Sequence, residues 1–361
     1  MAYTTIDDPS AHFHVNLHSG NETNNTDITF NANAGDFQSD WIWFKGRTSS
    51  AIDHALFDSS RGTTKILNSN NSNDENAQGS TLKAFNSNGF RVGDDAGDYG
   101  VNKNGRTYVT WNWKANGGTT TTNDASATSV GSLDSVYQAN TTAGFSIVTY
   151  TGAGGNQTIA HGLGAVPKWI LIKRRDDAGD WTSYHSVLGN EKYMRLNSTN
   201  AIGDQATYFN DTTPTSTVFT VGSAGDVNQS TGTFVAYCFA EKQGYSKFGS
   251  YVGNGNDDGP FVYTGFKPAW LMIKRTDGGT NAWGIFDSAR GPFNEITMNL
   301  DADRSDAENT ATNYDDLDFL SNGFKLYEEN DDINASSGEY IYMAFAEHPF
   351  VSSEGVPTTA R

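Results

Sequence analysis

The stretch FKPAWLMIKRTDGGTNAWGIFDSARG, Phe266 to Gly291, decides how this chain reads. An apolar run, Trp270-Leu271-Met272-Ile273, stops at Lys274-Arg275. A polar Asp-Gly-Gly-Thr loop follows, then Trp283-Gly284-Ile285-Phe286-Asp287 and a Ser-Ala-Arg-Gly turn. Short apolar runs bounded by Gly and Asp read as strand, turn and strand. Lys274, Asp287 and Arg290 then pose a choice between a charged active site and a device of the fold.

The rest of the chain answers it by repetition. The W-x-x-x-K strand recurs as Trp41-Ile42-Trp43-Phe44-Lys45 and Trp169-Ile170-Leu171-Ile172-Lys173. After it come Phe57-Asp58-Ser59-Ser60-Arg61-Gly62, Tyr184-His185-Ser186-Val187-Leu188-Gly189 and Phe286-Asp287-Ser288-Ala289-Arg290-Gly291, then an apolar residue with Asn at Leu67-Asn68, Leu196-Asn197 and Met298-Asn299. Ser87-Asn88-Gly89-Phe90 recurs as Ser321-Asn322-Gly323-Phe324, while the middle copy keeps only Phe219. Closing strands are TYVTWNWKA from Thr107, TFVAYCFAE from Thr233 and EYIYMAFAE from Glu339. Self-similarity of this kind sets the organisation before any single motif does.

Each copy shows period-two alternation and no 3.6-residue apolar stripe, so the fold class is all-β, three tandem β-sandwich-like repeats. The boundaries are 1–115 for the first, 144–242 for the second and 243–350 for the third. A Gly/Thr/Ser-rich linker, flexible or extended, takes 116–143, and 351–361 reads as a flexible tail. In the last strand Tyr340, Tyr342, Ala344 and Ala346 face one way and Ile341, Met343 and Phe345 the other. Both faces carry apolar bulk, so such strands need cover on both sides, from a sandwich partner or a neighbouring subunit.

On this reading Lys45, Lys173 and Lys274 end an apolar row, with the ammonium reaching Asp58 in the first copy and Asp287 in the third, while Arg61 and Arg290 brace the same turn through backbone carbonyls. The middle copy keeps Lys173 but has His185 and Leu188 in place of Asp and Arg. The cluster therefore belongs to the scaffold, and no catalytic residue is assigned.

Composition narrows the function. Of 361 residues, 36% are hydrophobic, 18% charged and 12% aromatic, and 24 Lys and Arg against 42 Asp and Glu leave a net charge of −18. That charge repels a phosphate backbone, so nucleic acid is excluded as a partner. No run approaches the ~20 apolar residues of a membrane-spanning helix, so membrane insertion is not expected, and the first residues lack the pattern of a secretory leader. The single cysteine, Cys238, excludes an intrachain disulfide and reads as a buried small hydrophobe. Acidic groups such as Asp301, Asp303, Asp306 and Glu308 lack the order of a calcium loop and read as solvated turns. His12 and His14, two apart on one strand, are the weak candidates for a transition metal. The sequence contains no nucleotide-binding glycine loop, nucleophile elbow or zinc-protease helix, and no cofactor is expected.

The W-x-x-x-K strand, F-D-S-x-R-G, S-N-G-F and the closing strand ending in W-x-W-K-A or A-F-A-E together resemble a repeat module of (marine) bacteriophage virion structural proteins, described as tail-fibre-like, lectin-like or capsid-associated. The resemblance covers nearly the whole chain outside 116–143 and the tail. It implies a non-enzymatic capsid or tail decoration, adaptor or fibre protein, assembled in the host cytoplasm and carried on the virion. Its partners would be other virion proteins and further copies of itself, a homotrimer being favoured. The alternative is an adhesin for host surface glycan, with Trp181, Tyr184 and Trp283 as the stacking aromatics. A polysaccharide depolymerase is the enzymatic alternative.

Overall fold

The computed structural model describes residues 2–31, 35–49, 51–309 and 317–358. Strand accounts for 41% of the chain and helix for 4%, which makes the fold all-β.

Three antiparallel sheets carry the architecture. The first uses β1 (Phe13–Ser19), β2 (Trp41–Gly46), β3 (Ala55–Asp58) and β4 (Thr107–Trp113), in the order β1-β4-β2-β3. The second, an eight-stranded sheet, begins at its edge with β5 (Thr121–Asn123) and β6 (Ser135–Asn140). It continues with β7 (Phe145–Thr151), β8 (Trp169–Arg174), β9 (Thr182–His185) and β10 (Thr233–Phe239), ordered β7-β10-β8-β9. The third has β11 (Ser246–Val252), β12 (Phe266–Arg275), β13 (Trp283–Asp287) and β14 (Glu339–Pro349), ordered β11-β14-β12-β13. One connection order is thus used three times.

Each W-x-x-x-K strand is buried on both faces, and its alternation sorts the faces. Ile42 and Phe44, Ile170 and Ile172, and Leu271 and Ile273 point into three separate cores, each closed by a small second sheet of its own unit. Trp41 and Trp43, Trp169 and Leu171, and Trp270 and Met272 point instead into one core common to all three units. The last strand follows the same rule: Tyr340, Tyr342, Ala344 and Ala346 line the third unit's own core, while Ile341, Met343 and Phe345 enter the common one. At its centre Trp113, Phe239 and Phe345, one from each unit, form a triangle with ring centroids 6.5, 5.6 and 6.0 Å apart. The cover expected from a sandwich partner or a neighbouring subunit is supplied within the chain.

Two segments differ from their sequence reading. Residues 116–143 are not a free linker: β6 pairs along β7 from Asn140↔Phe145 to Ser135↔Tyr150, and β5 pairs with β6. Thr and Ser give little apolar signal, yet Val136, Tyr137 and Gln138 alternate well enough to extend an edge. The tail is held as well. Val351 bridges Pro357, and Ser353 N donates to Asp7 at 2.7 Å. Residues 359–361 lie outside the described residues. The N-terminal segment also crosses to the third unit, where Thr4 Oγ1 donates to Gln243 O at 2.8 Å.

Candidate functional site at the seams between units

The charged residues picked out by the sequence gather where one unit meets the next. Lys45, Lys173 and Lys274 are fully buried, but Lys45 does not reach Asp58, nor Lys274 Asp287. Strand register gives the reason: Trp41 pairs with Asp58 and Trp270 with Asp287, so each Asp stands beside the Trp. The Lys lies four residues further along, roughly 13 Å away. Its Nζ donates instead to two carbonyls, one from its own unit and one from a neighbour. Lys45 bonds Ile52 O at 2.7 Å and Ser305 O at 3.0 Å. Lys173 bonds Gly179 O at 2.7 Å and Ser72 O at 3.1 Å. Lys274 bonds Asn281 O at 2.6 Å and Thr199 O at 2.9 Å. First unit to third, second to first, third to second: the contacts close a ring. Burial pushes each ammonium down to about 8.

A second ring runs beside it. His54 Nε2 lies 3.0 Å from Asp301 O, Trp181 Nε1 donates to Asn68 O at 2.7 Å, and Trp283 Nε1 donates to Arg195 O at 3.0 Å. The backbone N–H of the same three residues is taken by Asn70, Asn197 and Asp303 side chains. This corrects the register of the apolar-Asn step. Leu67 bridges Leu56, Met194 pairs with Ser183 and Leu300 with Ile285, so Leu67, Met194 and Leu300 correspond. Loops of unequal length before that strand concealed the match.

The Asp-Ser-x-Arg turns form the third and most charged contact. Asp58 Oδ2 accepts from Arg61 Nε at 2.5 Å and from the Tyr237 hydroxyl of the second unit at 2.7 Å. Asp287 Oδ2 accepts from Arg290 Nε at 2.6 Å and from Trp111 Nε1 of the first unit at 2.9 Å. Arg61 also donates to Leu56 O and Lys65 O, and Arg290 to Ile285 O, the carbonyl bracing expected of them. Each Arg then meets a glutamate, Glu75 or Glu308, which is gripped in turn by Arg175 or Arg47 of the neighbouring unit. Pairing with several partners is what makes such buried charge tolerable.

At the third seam every member has changed. His185 and Leu188 occupy the places of Asp and Arg, Met343 that of Tyr237 and Trp111, and Thr276 that of Arg175 and Arg47. Ile202 N donates to Thr276 O at 3.0 Å, as Glu75 N does to Arg175 O and Glu308 N to Arg47 O, so Ile202 replaces the glutamate. Leu188 and Ile202 pack on the common core. Val187 N donates to His185 Nδ1 at 3.2 Å, which keeps the turn cap that Asp58 Oδ1 gives Ser60 N. Burial drives the His185 imidazole down to about 3.

Sequence reasoning named the Lys, Asp and Arg but missed Glu75, Arg47, Arg175, Trp111 and Tyr237. It read Glu308 and Asp303 as part of a solvated turn, whereas Glu308 is buried between Arg47 and Arg290 and Asp303 accepts from Trp283 N. One signal was present. The middle copy lacks its Asp and Arg, and the third copy lacks the arginine two residues after its Lys, which is Thr276. Each loss falls in a different copy because the contact runs between copies.

The remaining candidates are placed elsewhere than expected. Trp181, Tyr184 and Trp283 are buried, at 0%, 2% and 0% exposure, so none has a ring face for a sugar. The two tryptophans sit in the second ring, and Tyr184 packs on Phe209 within the second unit. His12 stacks edge-on to Tyr245 while His14 packs against Phe30, so the pair meets different surroundings. Among the described residues no group of three or more His, Cys, Asp or Glu is arranged to hold a metal ion, and no helix is long and apolar enough to cross a membrane.

Fold and seams together define an all-β protein whose three sheets share one core. The chain belongs to the family described as Domain of unknown function (DUF7483), which matches residues 8–349. No curated protein and no solved structure matches it.

Proposed function

We propose that the chain is three copies of one β-sandwich module closed into a ring, and that it serves as a non-enzymatic structural component of a bacteriophage particle. The observation that carries the structural half is the use made of its buried polar groups. Lys45, Lys173, Lys274 and the two Asp-Arg-Glu-Arg chains all join one unit to the next, the role of struts in a body that must keep its shape. The virion half rests on the resemblance of the module motifs. In this reading a capsid or tail decoration or adaptor protein meets other virion proteins through its outer loops. The inner strand faces are covered within the chain, which makes the body itself pseudo-threefold.

The glycan-binding alternative loses its stacking residues to burial. Imaging of virions carrying a labelled copy tests the proposal: label on the particle is the expected result, and particles without it refute it. Release of reducing sugar from host envelope by the purified protein would overturn the non-enzymatic part.

A further inference from the structure

The outer strands of the three sheets, β1, β7 and β11, are equivalent in register. Val15, Ile147 and Phe248 each lie opposite Trp111, Tyr237 and Met343 of the closing strands. Antiparallel ladders turn alternate residues outward. Lys114 N donates to His12 O and Gly20 N to Arg106 O, so even-numbered residues of β1 face β4, and Phe13, Val15, Leu17 and Ser19 turn their N–H and C=O to the open side.

Edge β7 is closed along its length, and edge β11 at its outward residues Ser246 and Phe248. Along β7 runs β6, with Gln138 opposite Ile147. The Gln138 amide donates to Ser59 Oγ at 2.8 Å and Ser60 Oγ at 2.7 Å of the first unit and accepts from Asn116 N and Gly118 N. At β11 the Phe248 N–H donates to Glu241 Oε2 at 3.3 Å, and Lys247 pairs with the same carboxylate at 2.9 Å. Edge β1 has neither cover among the described residues. Its sequence, FHVNLHS, has no Lys, Pro or bulge of the kind that protects an open edge.

Where Gln138 sits at its own seam, the seam between the first and third units has a cavity of about 400 Å³, walled by Val15, Ala269, Ser288 and Ala289 with Asp8 and Glu347. Ser288 corresponds to Ser59, and Ala269 to Asp40, the residue whose carboxylate helps fill the other seam. Among the described residues the same pocket is therefore built twice and filled once.

We propose that the β1 edge docks an extended segment of a partner protein as an added antiparallel strand, with a long donor side chain (Gln, Lys or Arg) entering the cavity opposite Val15. The precedent is the chain's own β6, and Asp8 and Glu347 place acceptor oxygens on the cavity wall, although Lys267 already pairs with Glu347 and Ser10 with Asp8. Main-chain pairing gives such docking its affinity, and the pocket its selectivity. The inference is independent of the virion reading.

The test uses the full chain and a synthetic peptide of residues 133–142, LDSVYQANTT, with hydrogen exchange followed amide by amide. Saturating peptide is expected to slow exchange at Val15 and Leu17 by about tenfold or more while leaving β11 unchanged, and a peptide with Gln138→Ala is expected to bind more weakly. Val15→Pro removes one outward N–H and no β4 bond, so it should abolish the protection. Leu17→Pro gives the same reading should Val15→Pro fail to fold. Unchanged exchange at Val15 and Leu17, or protection that survives both prolines, would overturn the proposal. So would a chain that sediments as a dimer with these amides already protected, since a second copy would then own the edge.

Discussion

The Tyr237 hydroxyl donates to Asp58 Oδ2 at 2.7 Å across the seam between the second and first units. At the matching place Trp111 donates to Asp287, whereas Met343, which holds the same register position at the third seam, has no proton to give. A carboxylate there would be buried without its donor. His185→Asp is therefore expected to cost about 3–5 kcal/mol, read from the denaturant midpoint. The triple variant His185→Asp, Leu188→Arg, Met343→Tyr should regain a large part of that loss. If the single substitution is neutral, the donor does not govern the choice of residue.

Tyr237→Phe is the converse experiment. It leaves Asp58 Oδ2 with Arg61 Nε alone and should destabilise by about 1–3 kcal/mol. In an Asp58→Asn background the same change should cost less, and a double-mutant cycle would measure the difference.

Alkaline stability reports the lysine ring. Burial lowers the three ammonium groups to about 8 from 10.5. Between these values the unfolded chain holds more protons than the folded one, so stability should rise with pH. The cost of burying the charges is felt in full below pH 8. Burial raises Tyr108, Tyr208 and Tyr340 to about 12, so above pH 10 the folded chain holds the extra protons and stability should fall again. Thermal midpoints from pH 7 to 11 should pass through a maximum. Lys274→Met should flatten the rising limb.

Acid has the opposite lesson. Burial lowers His14, His18 and His161 to about 4 and His185 to about 3, and holds His54 well below 6.5. The unfolded chain takes up these protons first, so stability should fall as pH drops from 6.5 toward 4. Burial raises Asp301 to about 7, and Asp303 upward, which works in the other direction over the same range. Five imidazoles outweigh two carboxyls, and urea midpoints should decline steadily between pH 6.5 and 4.

Cys238 gives a simple probe of the closed fold. It is fully buried, and burial raises its thiol well above 9. A thiol reagent at pH 8 should leave the native chain unlabelled and label it fully in denaturant. Fast native labelling would mean that the second unit opens readily.

Much of the fold was legible because it is local. Period-two alternation in Trp270 to Ile273 and in Tyr340 to Ala346 sorted residues onto two faces, and the structure uses both as the alternation requires. The buried Arg61 and Arg290 turns were legible for the same reason, since Asp and Arg lie three residues apart. The partners of Lys45, Lys173 and Lys274 were not. A carbonyl has no sequence signature, and Ser305, Ser72 and Thr199 belong to the neighbouring unit in each case. Gln138 likewise stood in a stretch that read as linker, because its bonds to Ser59 and Ser60 form only when two units meet.

The sequence by itself determined the strands, their faces and the tight turns, since these depend on neighbours a few residues away. Only the tertiary structure decided which unit each buried charge would serve. A long side chain leaving its own sheet meets the groups that packing brings to it, and here packing brings the next unit around the ring. The middle unit could exchange Asp and Arg for His185 and Leu188 because Met343 offers no donor, yet it had to keep Lys173 for the carbonyls of Ser72 and Gly179.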